Sequence, residues 1–216
     1  MTHELLPSGI ADRIEPAPVV SRREAFHGHV WNVVTDRVDL GDAGEVSRDY
    51  VQHTGAVAVV ALRGEPGAEE VLLIQQYRHP VGTYDWEIPA GLLDIAGEDP
   101  HAAAVRELAE EAELGAEHWS VLLDLFTSPG GNSENIRIFL ARDVFPSVLD
   151  DFVREGEEHE MPTGWAPLSE VADAALEGRV HNAVAIAGVL AAARLAGDYS
   201  GLRPADAPWP AHPVYR

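Results

Sequence analysis

The sequence predicts an α/β fold in which a mixed sheet lies between layers of helices. Two apolar runs, at residues 55–62 and 71–78, have the length and composition of buried strands. A capped, strongly acidic helix is predicted at residues 99–115, and two alanine-rich helices follow residue 167. Strands on both sides of one helix, with two more helices near the C-terminus, favour an α/β/α sandwich.

Composition limits the classes of partner. The 216 residues are 46% hydrophobic, which suffices for one domain with a sizeable core. The formal net charge of −21, from 15 basic and 36 acidic residues, opposes binding to nucleic acid or to an anionic membrane surface. No apolar run reaches the ~20 residues of a membrane span, and no signal peptide is expected. Cysteine is absent, which fits a reducing compartment and a cytoplasmic location.

The N-terminal region, residues 1–53, is expected to form a small antiparallel sheet. Apolar and polar residues alternate at positions 25–34, 36–40 and 45–51, with turns near Gly28 and Gly41. These patterns predict two or three strands. The sheet would pack on the main body of the protein or on a second subunit.

The main domain is expected at residues 54–200. A Gly/Pro turn separates the two apolar strands, which predicts a hairpin, and residues 86–91 indicate a strand that runs into a glycine-containing loop. Further strands are predicted at residues 120–126 and 136–141, with a loop at 127–134 between them. Packing helices are predicted at residues 168–176 and 182–196, where Gly178 and Gly197 end them.

The C-terminal tail, residues 201–216, is rich in proline and is expected to lie along the surface or to dangle. Several histidines show no spacing typical of metal ligands and are expected at surface or capping positions; they are His101, His118, His159, His181 and His212.

The acidic helix concentrates carboxylates on one face. Asp99 is a good N-cap, Pro100 suits the first helical position, and Gly115 is expected to end the helix. At about 100° per residue, Glu107 and Glu111 fall on one side, with Glu110 nearby. Like charges four residues apart repel, and a hard divalent cation, which prefers carboxylate oxygens, would offset that repulsion. The alternative is a solvated face of an acidic protein.

The segment around this helix resembles the Nudix box. Residues 98–111 match its register, from Glu98 through Arg106 and Glu107 to Glu111, with Gly91 upstream. Six residues rather than five separate Gly91 from Glu98, an extension of a kind seen in members that cleave ADP-ribose. Glu113 stands where the box has its closing glycine, so Gly115 is expected to take the left-handed conformation instead.

The resemblance extends to the ADP-ribose pyrophosphatase subgroup. It implies the Nudix α/β/α sandwich around a mixed sheet, an N-terminal sheet that makes homodimer contacts, and a small nucleotide-sugar substrate. It also implies a set of substrate-binding residues, carried by the segments on either side of the box and by the 127–134 loop; they are Arg48, Arg78, Glu87, Pro129, Ser133 and Glu134.

The resemblance also assigns catalytic roles. Glu107 and Glu111, with Glu110 and the Ala90 carbonyl, would hold Mg²⁺ or Mn²⁺, and Arg106 would tie Glu98 or Glu110 so that the ligands keep their orientation. An acidic loop after residue 145 carries the expected general base, for which Glu158 is preferred and Glu157 is the alternative. The expected reaction is hydrolysis of ADP-ribose to AMP and ribose 5-phosphate.

Other functions remain open at this point. The same chemistry could serve ADP-glucose, NADH or GDP-mannose. A Nudix-fold protein could also bind a nucleotide without cleaving it, although the glutamates of the box are intact. A structural protein with an acidic face is the third alternative.

Overall fold

The computed structural model describes residues 8–147 and 161–215. The N-terminal region forms a three-stranded antiparallel sheet in the order β1-β2-β3, built from Val19–His27, Asn32–Asp39 and Glu45–Gln52. Turns at residues 28–31 and 40–44 join the strands, so the turns predicted near Gly28 and Gly41 are confirmed.

A second, eight-stranded sheet forms the centre of the main domain. Its path runs β10-β5-β4-β9-β8-β11, with β6 beside β5 and β7 beside β4. The strands are β4 Ala56–Arg63, β5 Glu70–Arg78, β6 Thr83–Glu87, β7 Ala90–Leu92, β8 Leu114–Phe126, β9 Asn135–Pro146, β10 Thr163–Pro167 and β11 Arg203–Pro204. β4 and β9 are parallel and the other pairings are antiparallel, so the sheet is mixed.

Helices cover both faces of this sheet. They are α1 Pro100–Ala112, α2 Leu168–Leu176 and α3 Ala183–Leu195. Alternate residues of the buried strand β4 enter two different cores: Val60 packs with α2 and α3, whereas Val59 packs with α1. This alternation follows from the two-residue period of a strand, and it confirms the predicted α/β/α sandwich.

The predicted β4–β5 hairpin exists only next to its turn. The two strands pair at Leu62 with Val71 and at Arg63 with Glu70, and then separate. Beyond that point β5 pairs with β6 and β10, while β4 pairs with β7 and β9. The short strand β7 thus takes the place of β5 beside the N-terminal half of β4, where it pairs with residues 56–58.

The C-terminal tail lies along the main domain rather than dangling, and two of its side chains are buried there. Trp209 is 1% exposed and lies in the same core as α1. His212 is 2% exposed, and its Nε2 lies 3.2 Å from the Thr54 carbonyl oxygen, so it is not a surface histidine. The large aromatic area of Trp209 outweighs the weak local preference of a Pro-rich segment.

In the described parts of the chain, no helix is long and apolar enough to cross a membrane.

Candidate active site

A cleft of about 740 Å³ opens where β4 and β5 separate. Residues of β4, β5, β6, β7 and α1 line it, and the loop between β8 and β9 contributes Thr127 and Glu134. Its volume is in the range of small-molecule sites. The cleft therefore brings together most of the side chains that the sequence singled out.

The start of α1 is built as predicted, but its end is not. The Asp99 carboxylate accepts hydrogen bonds from the backbone N–H groups of His101 and Ala102, at 2.9 and 3.2 Å. The helix ends at Ala112, and Glu113 itself takes the left-handed conformation with φ 55°. Gly115 lies in β8 instead. A glycine is thus not required to end the helix, although a non-glycine residue is strained there.

Gly91 leaves room for the Glu107 carboxylate. A Cβ atom at position 91 would lie 2.0 Å from Oε1 and 2.5 Å from Oε2 of Glu107. Glu111 is 7% exposed, and its Oε2 accepts a hydrogen bond from the Ala90 N–H at 2.9 Å. The β7 backbone therefore determines where both carboxylates can lie.

Arg106 connects the carboxylates of the cleft. Its guanidinium makes two hydrogen bonds to Glu98, at 2.9 and 3.0 Å, and its Nη1 also reaches Glu107 at 2.7 Å and Glu110 at 2.9 Å. Hydrogen bonding to Glu98 raises the pKa of Arg106, and the same pair lowers the pKa of Glu98. Arg106 thus binds Glu98 and Glu110 together, where the sequence left the choice between them open.

Arg78 and Glu87 form a bidentate ion pair on the cleft wall. The two hydrogen bonds measure 2.6 and 2.8 Å. The Glu87 side chain is 5% exposed, whereas the Arg78 side chain keeps 43% of its surface in solvent. Hydrogen bonding to Glu87 raises the pKa of Arg78. The guanidinium therefore stays charged and partly accessible to an anionic ligand.

The β8–β9 loop meets the end of the N-terminal sheet beside the cleft. The Ser133 hydroxyl oxygen accepts a hydrogen bond from the His53 N–H at 2.9 Å. Glu134 lies 3.2 Å from His53 Nε2 and accepts a hydrogen bond from the Thr127 hydroxyl. Sequence reasoning missed the cleft residues Trp31, His53 and Thr127, because no local motif marks them.

Some predicted site residues lie away from this cleft. Arg48 is exposed on β3, where its Nη1 donates to the Ser47 carbonyl oxygen at 2.9 Å. Pro129 is exposed in a turn and does not line the cleft. Glu157 and Glu158 fall outside the described residues, so their assignment as general base stays a prediction.

Comparison with known proteins identifies the family. The model of the NUDIX domain matches residues 52–187. The chain belongs to the Nudix family. An ADP-ribose pyrophosphatase of Mycobacterium tuberculosis is 41% identical over 187 residues, which cover 86% of this chain and 88% of the relative. An ADP-ribose pyrophosphatase of Bacillus subtilis is 35% identical over 65% of this chain and 72% of its own length.

Two further similarities concern ADP compounds. The Escherichia coli protein named ADP compounds hydrolase NudE is 33% identical over 64% of this chain and 72% of its own length. A crystal structure of an ADP compounds hydrolase superimposes with a TM-score of 0.70, covering 88% of this chain and 99% of that one. At 21% sequence identity this second likeness supports the Nudix fold alone.

The box of this Nudix hydrolase offers the donors that a hard cation needs. The Glu111 carboxylate accepts a hydrogen bond from the Ala90 N–H, the Glu107 carboxylate fills the space that Gly91 leaves, and Glu110 lines the same cleft. Within residues 8–147 and 161–215, no group of three Asp, Glu, His or Cys side chains is arranged so that protein atoms alone could hold a metal ion. An open arrangement of this kind suits a divalent cation that takes one or two carboxylates and completes its shell with water and ligand oxygens.

Proposed function

We propose that this Nudix hydrolase cleaves the pyrophosphate of ADP-ribose, with Mg²⁺ or Mn²⁺, to give AMP and ribose 5-phosphate. Water adds to one phosphorus, and the bridging P–O bond breaks. The main support is that Glu107, Glu110, Glu111 and Arg78 all line a single cleft. The names of the M. tuberculosis and B. subtilis relatives supply the substrate class.

The proposed cation ligands are Glu107 and Glu111, assisted by Glu110 and the Ala90 carbonyl. A bound divalent cation supplies charge neutralisation at the pyrophosphate and a lower pKa for coordinated water. Arg106 acts as a positioning residue, because its contacts to Glu98, Glu107 and Glu110 restrict the rotamers of those carboxylates. Without such restraint the acidic side chains would repel one another and spread apart.

The substrate contacts are assigned to the rest of the cleft. The partly exposed Arg78 guanidinium is suited to a phosphate oxygen, and Glu87 keeps it oriented. Ser133 and Glu134 lie on the β8–β9 loop, where Pro129 occupies the preceding turn. Glu158, or Glu157 as the alternative, would remove the proton from the attacking water.

The substitution Glu111→Gln tests the ligand assignment. We expect Mg²⁺-dependent release of AMP to fall by at least about 100-fold while the circular dichroism spectrum and melting temperature stay close to wild type. Glu117→Gln, which alters an exposed glutamate on β8 outside the cleft, is the matched control and should keep full activity. Full activity of Glu111→Gln across a magnesium titration would refute the assignment.

The breadth of the substrate range needs a separate assay. The NudE relative and its name favour a second candidate, activity on other ADP-linked compounds. Release of AMP or GMP should be compared for ADP-ribose, ADP-glucose, NADH and GDP-mannose. Fastest turnover of ADP-ribose supports the proposal, and faster turnover of another compound replaces it. Binding without any product would identify a nucleotide sensor.

We propose a homodimer in which the N-terminal sheet forms the contact. All nine residues of β1 are exposed in a single chain, including Val19, Val20 and Phe26. Such a contact would bring Arg48 to the cleft of the second copy. In its own chain Arg48 lies away from the cleft. Light scattering should give twice the mass of the chain, and Phe26→Asp should lower the measured mass.

A cytoplasmic location is also proposed, on the absence of cysteine.

A further inference from the structure

The C-terminal tail is fixed to the main domain at three points. The first is Arg137 of β9, a buried residue whose guanidinium donates to the Ala207 and Pro208 carbonyl oxygens at 2.6 and 3.0 Å. The second is Trp209, which shares a core with α1. The third is His212, which lies against the backbone just before β4. Of these three side chains, His212 is the one that can change its charge between about pH 5 and about pH 8.

The backbone before β4 leaves space for the His212 ring. A Cβ atom at Gly55 would lie 2.5 Å from His212 Nε2, so a larger residue there would displace the imidazole. The His212 ring also packs against the rings of Trp209 and Tyr215, whose centroids each lie 4.7 Å from its own. The imidazole is therefore enclosed by the tail on one side and by the main domain on the other.

Both nitrogens of His212 make hydrogen bonds, and these bonds require the neutral ring. A carbonyl oxygen only accepts, so Nε2 carries the proton and donates it to the Thr54 carbonyl oxygen at 3.2 Å. Nδ1 accepts a hydrogen bond from the Val214 N–H at 3.1 Å. Protonation of Nδ1 would turn this acceptor into a donor that faces another donor. The attached tail would then lose a hydrogen bond in a buried place.

The charged and titratable groups near His212 give a protonated ring little support. They are Arg137 on β9, His53 after β3, Asp94 after β7 and Tyr215 in the tail. Beside the chain neighbours of His212, a second pocket is lined by three exposed charged residues, Asp12, Arg13 and Glu15. The acidic Asp94 is likewise exposed, so solvent screens it. Burial lowers the pKa of His212, and Arg137 acts in the same direction, whereas the bond to Thr54 opposes them.

We propose that His212 is an acid-sensitive latch for the C-terminal tail: the neutral imidazole keeps the tail on the main domain, and its protonation releases the tail. In the released tail His212 is solvated and regains its ordinary pKa of 6.5. The released form therefore binds more protons than the attached form, and attachment weakens as pH falls below about 6.5. Release would uncover the part of the α1 core that Trp209 covers. This device acts outside the proposed reaction and does not depend on it.

Hydrogen exchange followed by mass spectrometry measures the attachment. The N–H groups of Ala207, His212 and Val214 donate hydrogen bonds within the tail, so their exchange reports its release. Exchange should be compared at about pH 7.5 and about pH 5, after correction for the intrinsic pH dependence of amide exchange. We expect protection of the wild-type tail to fall about 10- to 30-fold over this interval, while β4 and β9 stay protected.

His212→Gln keeps a donor near the position of Nε2 but does not titrate, so its tail protection should change by less than about 3-fold between the two pH values. His118→Gln is the matched control, because the His118 side chain is 62% exposed on β8, and it should keep the wild-type response. Equal pH responses in wild type and His212→Gln would overturn the proposal. So would unchanged wild-type protection at about pH 5, or a parallel loss of protection in β4 and β9, which would indicate global unfolding.

A second measurement applies if His212→Gln leaves the tail detached at both pH values. Nuclear magnetic resonance of the wild-type protein follows the ring protons of His212 as the pH is lowered. The midpoint of that titration should coincide with the midpoint of tail release and lie below 6.5. A His212 ring that titrates while the tail stays protected would contradict the latch.

Discussion

The substitution Gly91→Ala tests whether the position of the Glu107 carboxylate governs turnover. The added Cβ would lie 2.0 Å from Glu107 Oε1, so that oxygen must retreat by about 1.4 Å to reach an ordinary contact of 3.4 Å. Gly91 is not among the residues with positive φ, so alanine brings no backbone strain. The perturbation is therefore almost purely a displacement of one candidate ligand.

The displacement should affect activity far more than stability. The Glu107 carboxylate is the end of a flexible side chain, so the free energy of unfolding should change by less than about 1 kcal/mol. Mg²⁺ tolerates little change in ligand geometry, and a shift of about 1 Å can cost about 100-fold in rate. That factor corresponds to about 2.7 kcal/mol of transition-state stabilisation.

Steady-state AMP release over a magnesium titration measures the effect. We expect kcat/KM for ADP-ribose to fall about 100-fold at a fixed magnesium concentration, with a weaker apparent affinity for the cation. Gly201→Ala is the control, since a Cβ there meets nothing within 4 Å. Activity of Gly91→Ala within about 3-fold of wild type at every magnesium concentration would contradict the reasoning.

Three further predictions concern stability. Trp209→Ala should lower the free energy of unfolding by about 3–5 kcal/mol in urea titrations, because Trp209 is 1% exposed and Arg137 lies over its ring; a change under about 1 kcal/mol would mean that the tail is not packed. Glu113→Gly should raise the melting temperature slightly, because glycine removes the backbone strain of about 1 kcal/mol that a left-handed φ of 55° imposes on Glu113. A clear decrease in melting temperature would show that side-chain contacts of Glu113 outweigh this strain. Arg22 hydrogen bonds lower the pKa of Asp36 from 3.8, so this pair stabilises the fold above about pH 4 and the benefit is lost as pH falls through the folded-state pKa. The stability gap between wild type and Asp36→Asn should therefore stay constant from about pH 7 to about pH 4 and shrink at lower pH, and a gap that does not shrink in acid would exclude this electrostatic origin.

Much of the fold could be read from local pattern. The N-cap at Asp99 and the buried strand β4 are marked by residues close together in the chain, and both are confirmed. The box register likewise grouped the carboxylates of α1, which line one cleft. The predicted end of the helix was wrong, because Glu113 accepts a left-handed conformation that the rule assigns to glycine.

The composition of the cleft could be predicted only in part. Arg78, Glu87 and Glu134 were proposed from the family resemblance, and all three line it. Trp31 and His53 were not proposed, since their importance comes from each other and from Glu134, about 80 residues further along the chain. The contacts that hold the tail were not predicted for the same reason, because Arg137 bonds to the Ala207 carbonyl oxygen across 70 residues.

The sequence by itself determined the α/β class, the acidic helix and the family to which the box belongs. Secondary-structure periodicity and helix capping depend on residues that are close together in the chain, so local sequence is enough to predict them. Only the tertiary structure decided that β7 gives space to Glu107, that Arg106 joins three glutamates and that the indole of Trp31 faces the cleft. Those contacts join segments that are distant in sequence, and close packing of the whole core selects which of them form.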